Sequence, residues 1–179
     1  MIPRLLPLVV ALSLAGLFAE VETIQVGSLV RGGAVHVSFT FVDGYSEDVR
    51  AALRSGLPTG ITYDVELRRE VPMWFDPAVA VVTVASTAQY DPLTRVYTLS
   101  RTIDGRGEAP RVTSDQEEVR TWLTVFDRQP LFRTTGLEPN AVYYVRVHAR
   151  SKPRTTWFYF WPFASGAASG SARFTYIPG

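Results

Sequence analysis

Apolar and polar residues alternate with period two over three stretches of this chain. Val35, Val37, Phe39 and Phe41 alternate with His36, Ser38 and Thr40. Ile61, Tyr63, Val65 and Leu67 alternate with Thr62, Asp64, Glu66 and Arg68, and Tyr143, Val145, Val147 and Ala149 with Tyr144, Arg146, His148 and Arg150. Side chains of a strand point to opposite faces in turn, so each stretch predicts a strand with one buried and one wet face. Gly32 and Gly33 form a tight turn that pairs the first of these with a strand over Thr23 to Arg31. Val79 to Tyr90 is apolar or small on both parities and predicts a more central strand. Asp91-Pro92-Leu93-Thr94 reads as a type I turn leading into Val96 to Ile103, so these two form a hairpin. A last strand is expected near Ser171 to Ile177.

Two stretches switch to helical spacing. Ser46 caps a helix with Glu47 and Asp48 in its first turn and Val49, Ala52 and Leu53 on its inner stripe, and Gly56 and Pro58 stop it. Ser114 and Glu117 make a capping box ahead of Val119, Trp122, Leu123 and Phe126, with Pro130 as the stop. The predicted fold is mainly β (α+β): an antiparallel β-sandwich or strongly curved sheet of about seven strands, with two short helices closing its ends. Asp104 to Pro110 reads as a Gly-rich loop, and Ser165 to Ser171 as a flexible loop too short to separate domains.

The first residues change the expected destination. One cation, Arg4, precedes an apolar run from Leu5 to Phe18, followed by Ala19 and Glu20, the layout of a secretory signal peptide. Cleavage after Ala19 is expected, with 20–179 as a single β-rich domain. If the peptidase declined that site, the same run would form an N-terminal anchor, although it is shorter than the ~20 residues a membrane span needs. The expected location is periplasmic or otherwise extracytoplasmic. The chain has no Cys, so export brings no disulfide, thiol nucleophile or thiolate metal site. Eighteen basic and 17 acidic residues give a formal charge of +1, which argues against general nucleic-acid binding.

Leu53-Arg54-Ser55-Gly56-Leu57-Pro58, Val65-Glu66-Leu67, Trp74-Phe75-Asp76 and Tyr90-Asp91-Pro92-Leu93-Thr94-Arg95-Val96-Tyr97 together resemble the bacterial domain-of-unknown-function family 4390. Leu137-Glu138-Pro139 followed by Tyr144-Val145-Arg146-Val147 fits that family's penultimate strand, and Ser171 to Tyr176 its closing strand. The resemblance implies an exported, β-rich bacterial domain with no established activity. It breaks down between Lys152 and Ser165, where the family's proline- and leucine-rich connection is replaced by Trp157-Phe158-Tyr159-Phe160-Trp161-Pro162-Phe163.

Catalytic equipment is sparse: two His, no Cys and no G-x-S-x-G elbow. His36 and His148 fall on the polar parity of strands and read as solvent-facing. Asp76, beside Trp74 and Phe75, is the one suspect carboxylate, because aromatic surroundings desolvate a carboxylate and raise its pKa. An Asp before Pro more commonly holds a turn by accepting backbone N–H groups, with Trp74 plugging one end of the core. Asp64 and Glu66 share a strand face about 7 Å apart, which suits cross-strand charge pairing better than a metal site. No cofactor or metal is expected.

The surface with the most character runs along Arg146, His148, Arg150, Lys152 and Arg154 into Trp157, Tyr159 and Trp161. Cations followed by aromatics suit a membrane interface or a protein hot spot. The expected function is a non-enzymatic binding or structural domain of the cell envelope contacting a protein partner or membrane surface. The alternative is a small-ligand carrier or enzyme with a pocket near Trp74 and Asp76, lined also by Trp122.

Overall fold

The computed structural model describes residues 24–150 and 168–178. The leader and the aromatic residues Trp157, Tyr159 and Trp161 lie outside the described residues. β1 (Ile24–Arg31) and β2 (Ala34–Phe41) form the hairpin that Gly32 and Gly33 predict, both glycines holding positive φ. β8 (Val125–Arg133) pairs with β2 to complete a sheet of order β1-β2-β8. The second sheet has the order β10 (Ala168–Thr175), β9 (Val142–Arg150), β3 (Thr59–Arg69), β4 (Ala78–Asp91), β5 (Val96–Ile103). Two short strands, β6 (Arg106–Gly107) and β7 (Arg111–Thr113), pair with β5, and every pairing in both sheets is antiparallel.

The inner parities of the two sheets supply the core. Val35, Val37, Phe39 and Phe126 of one sheet meet Tyr63, Val65, Leu67, Val145 and Val147 of the other, all fully or almost fully buried. Phe39 lies 4.6 Å from the Tyr63 ring and 5.0 Å from that of Phe126. The Tyr63 hydroxyl cannot be buried without a partner, and it donates to the Leu123 carbonyl at 2.6 Å. Burial pushes its pKa well above the usual phenol value. Helix α1 (Glu47–Arg54) covers one end of the core with Leu53, and α2 (Gln116–Thr124) brings in Val119, Trp122 and Leu123.

Arg101 occupies an inward position on β5, between Ser86 and Trp122. Its Nε donates to Ser86 Oγ at 3.0 Å, its Nη2 to the Trp122 carbonyl at 2.6 Å, and its guanidinium lies 4.2 Å from the Trp122 ring centroid. These carbonyl and π-face contacts hold a mostly buried cation against desolvation, which lowers its pKa.

The sandwich is closed on one side and open on the other. β1 crosses β10 so tightly that a Cβ on Gly170 would lie 1.9 Å from the Ile24 carbonyl oxygen. On the opposite side Val82 and Ile103 face Pro130 and Leu131 across a concavity of about 320 Å³. The register also defines two ends. Arg69 pairs with Tyr143, and its side chain pairs with Glu138, so the 70–77 loop and the 134–141 connection share one end. The Gly33 carbonyl accepts from the Thr134 N–H there at 2.9 Å, so β1 runs toward that end and the chain enters Ile24 from the other. Arg150 pairs with Thr62, and Thr59 with Ala88, placing Arg150, α1 and the 92–95 turn at the opposite end.

Several local expectations differ from what forms. Asp115, not Ser114, caps α2, its carboxylate accepting from Glu117 N–H at 2.8 Å. Pro130 does not stop that helix. Thr124 ends it, and Val125 is already extended, because the chain turns straight into β8. Pro130 sits within β8, the edge strand of its sheet, where a missing N–H is tolerated. The final strand begins at Ala168, so it takes in part of the expected Ser165 to Ser171 loop. Within the expected 104–110 loop, Asp104 and Gly105 make a tight turn into β6.

Candidate functional site

The outward face of the larger sheet is a lattice of opposite charges. Glu66 stands opposite Arg146 and Asp64 opposite His148 in the β3–β9 register. Asp64 also pairs with the Arg150 guanidinium and accepts from Thr83 Oγ1 at 3.2 Å. Glu66 pairs with Arg68 at 2.8 Å. Arg146 Nε donates to His148 Nε2 at 2.9 Å. Arg146, His148 and Arg150 are thus brought together as expected, but the acidic row beside them cancels much of their field. Exposed pairs of this kind contribute little to stability individually. His36 also lies on an outward position, its Nδ1 3.2 Å from the Arg128 carbonyl oxygen.

A different surface stands out at the end of the β3–β4 hairpin. Trp74 and Phe75 are 78% and 88% exposed, and Met73 is fully exposed. Trp74 therefore does not plug the core. The loop that carries these residues is held at many points. The Asp76 carboxylate accepts from Val71 N–H at 2.9 Å and from the Tyr144 hydroxyl at 3.0 Å, and Arg68 donates to the Asp76 carbonyl. Arg69 N–H donates to the Pro77 carbonyl at 3.1 Å, Glu70 N–H to the Val142 carbonyl at 3.0 Å, and Arg173 pairs with Glu70. Met73 takes a left-handed φ of 62°, a conformation costing about 1 kcal/mol for a residue with a Cβ. Strain and lost burial are both tolerated here, so three bulky apolar side chains stand in water on a well-braced turn.

Asp76 belongs to that bracing. The Val71 N–H, then the Tyr144 hydroxyl and the nearby Arg68 and Arg146 guanidinium groups, hold its carboxyl below the usual carboxylate range. This is the reverse of the raised pKa that an aromatic setting suggests. Trp122 is buried beside Ser100 and Arg101, at the level of Ile61, about 25 Å along the sheet from the hairpin end. Trp74, Asp76 and Trp122 therefore do not line a common pocket. Two solvent-open concavities among the described residues lie elsewhere, one against Gln25, Phe39 and Asp127, the other between Val82, Ile103 and Leu131. No cluster of three or more His, Asp or Glu among the described residues could hold a metal ion.

The exposure of Met73 and Phe75 was not among the sequence expectations. A signal for it exists in Val71-Pro72-Met73-Trp74-Phe75-Asp76-Pro77, a run of bulky apolar residues bracketed by prolines, where neither strand nor helix can turn all of them inward. No helix among the described residues is long and apolar enough to cross a membrane. A family model with the description Domain of unknown function (DUF4390) matches residues 19–158. No curated protein and no solved structure matches the chain.

Proposed function

Because the chain belongs to the family described as Domain of unknown function (DUF4390), and that description assigns no activity, we propose from its geometry that it is a non-enzymatic binding domain of the bacterial cell envelope, exported and engaging a protein partner through the Met73-Trp74-Phe75 tip. The observation that carries this reading is the braced exposure of those three side chains. Isolated surface apolar residues are ordinary, but a contiguous projecting group of them on a fixed turn fits an anchor awaiting a complementary pocket. Bracing matters because a rigid anchor loses little conformational entropy on binding. The face of Arg146, His148 and Arg150 is secondary in this reading, since Asp64 pairs with Arg150 and Glu66 stands opposite Arg146.

For a chain that keeps its leader, a protein partner is favoured over a membrane for the tip by where the chain enters. The apolar leader precedes Ile24, which is approached from the end of the sandwich remote from residues 70–77. A bilayer held by that leader would lie behind the tip, not in front of it. The test is photocrosslinking in intact cells from a benzophenone side chain at Met73. The expected result is a discrete envelope-associated adduct that disappears in the Trp74→Ser/Phe75→Ser variant, while the variant's melting temperature stays unchanged. An adduct that persists in the variant, or none at all, sinks the proposal.

A further inference from the structure

Beside the tip, β4 is paired on both sides over only part of its length. β5 ends at Ile103, opposite Val84, and Asp104 and Gly105, with φ of 49° and 77°, turn the chain back into β6. Such a two-residue Asp-Gly turn diverts the strand sharply. The Asp104 N–H donates to the Thr83 carbonyl at 2.8 Å, and this closes the β4–β5 ladder. From Ala78 to Val82, β4 pairs with β3, and no other strand among the described residues runs along its far side.

In an antiparallel strand, residues i and i+2 send their peptide groups to the same side. The Thr83 carbonyl points to the β5 side, so the Val81 N–H and C=O point there too, into the lane that β5 leaves. The side chains of Val79 and Val81 are each about half exposed, at 47% and 52%, on the outward face of this segment. A free edge of this kind templates strand addition unless charge, Pro or a bulge blunts it. Pro77 limits the lane at the tip end, and the bulge at Val79, opposite the step from Leu67 to Arg68, lies within it, leaving Ala80 to Val82 as its regular part.

The two ends of the lane differ in chemistry. One reaches the exposed Met73, Trp74 and Phe75. The other opens into the concavity between the sheets, where the Asp104 and Glu108 carboxylates stand with the Arg106 guanidinium. Glu108 already acts on the Arg101 guanidinium, which leaves the exposed Asp104 carboxylate to meet a partner's cation. A strand added in line with β5 would run antiparallel to β4, entering at that end and leaving at the tip.

We infer that the Ala78–Val82 edge accepts an extended polypeptide segment of a partner protein as an added antiparallel strand, with a cation near its N-terminus facing Asp104 and apolar residues meeting the tip. This rests on the reading of the tip as a protein-binding anchor, and it supplies the partner's conformation and charge. Main-chain pairing provides the attachment, and the alternating side chains and terminal cation provide selection.

The probe is the peptide acetyl-Lys-Thr-Val-Thr-Val-Thr-Val-amide, added to the isotope-labelled protein as recovered from cells, with amide hydrogen exchange read by NMR. At about 1 mM peptide the Val81 amide is expected to exchange at least about tenfold more slowly. The protection should vanish in Val81→Lys, persist in Thr87→Lys on the covered half of β4, and weaken when Glu replaces Lys in the peptide. Unchanged Val81 exchange at saturating peptide overturns the inference. So does protection that appears without peptide and grows with protein concentration, which would assign the edge to a second copy of the chain. Because this readout needs no cellular partner, it can fail while crosslinking at Met73 succeeds, or succeed while crosslinking fails.

Discussion

At the scale of single residues, Asp76 shows how the same side chain supports two opposite expectations until its neighbours are known. Aromatic flanks alone would raise its pKa; the Val71 N–H and Tyr144 hydroxyl lower it. A carboxyl whose pKa is depressed by folding contributes stability above its unfolded pKa, near 3.9, and loses that contribution as pH falls through the folded value. Wild type should therefore lose stability more steeply than Asp76→Asn as pH falls below about 4. Denaturant unfolding at pH 7 and at pH 2.5 measures this, and equal losses in the two proteins would refute the assignment. The Asp-before-Pro turn role was legible from two adjacent letters, because it depends on local backbone geometry. The outward projection of Trp74 was not. Parity predicts burial within a strand, and it gives no direction to a residue in a turn.

At the scale of elements, legibility followed periodicity. β2, β3 and β9 alternate cleanly, and apart from Thr59 their buried positions are the apolar ones that the alternation selects. β8 was hidden, because Thr124, Val125 and Phe126 continue the apolar spacing of α2 and Pro130 looks like a helix stop. Only pairing with β2 makes that stretch a strand, and pairing partners ninety residues away leave no local mark. The same limit applies to Gly170. In the sequence it is one small residue in a Ser- and Ala-rich stretch; in the fold it lets β1 cross β10. Gly170→Ala is expected to force the two strands apart at a cost of about 2–3 kcal/mol, the range of an overpacked core, lowering Tm by about 5–10 °C. Gly27→Ala on β1, where a Cβ would meet nothing within 4 Å, should leave Tm nearly unchanged by comparison. Calorimetry of both variants decides it, and equal melting temperatures would show that the crossing tolerates a methyl group.

At the scale of the whole molecule, the antiparallel sandwich class and the two helices were readable, since alternating strands with short connections leave few other architectures. The strand order was not, because β9 returns beside β3 and β8 beside β2 through long-range contacts. That order gives the molecule its polarity. The chain enters β1 from the end that also carries Leu93 in the 92–95 turn, while the tip lies at the other end. The seven strand steps from Thr62 to Arg69 alone separate these ends by about 23 Å. If the leader stays in a bilayer, the two ends must sense lipid differently. The chain lacks cysteine, so Phe75→Cys and Leu93→Cys each offer one clean labelling site. Both residues are largely exposed, so a fluorophore there should not disturb the core. With the full chain, leader included, in vesicles carrying a nitroxide-labelled lipid, quenching should be stronger at position 93 than at position 75. Stronger quenching at position 75 would place the tip in the membrane and transfer its role from protein recognition to lipid contact.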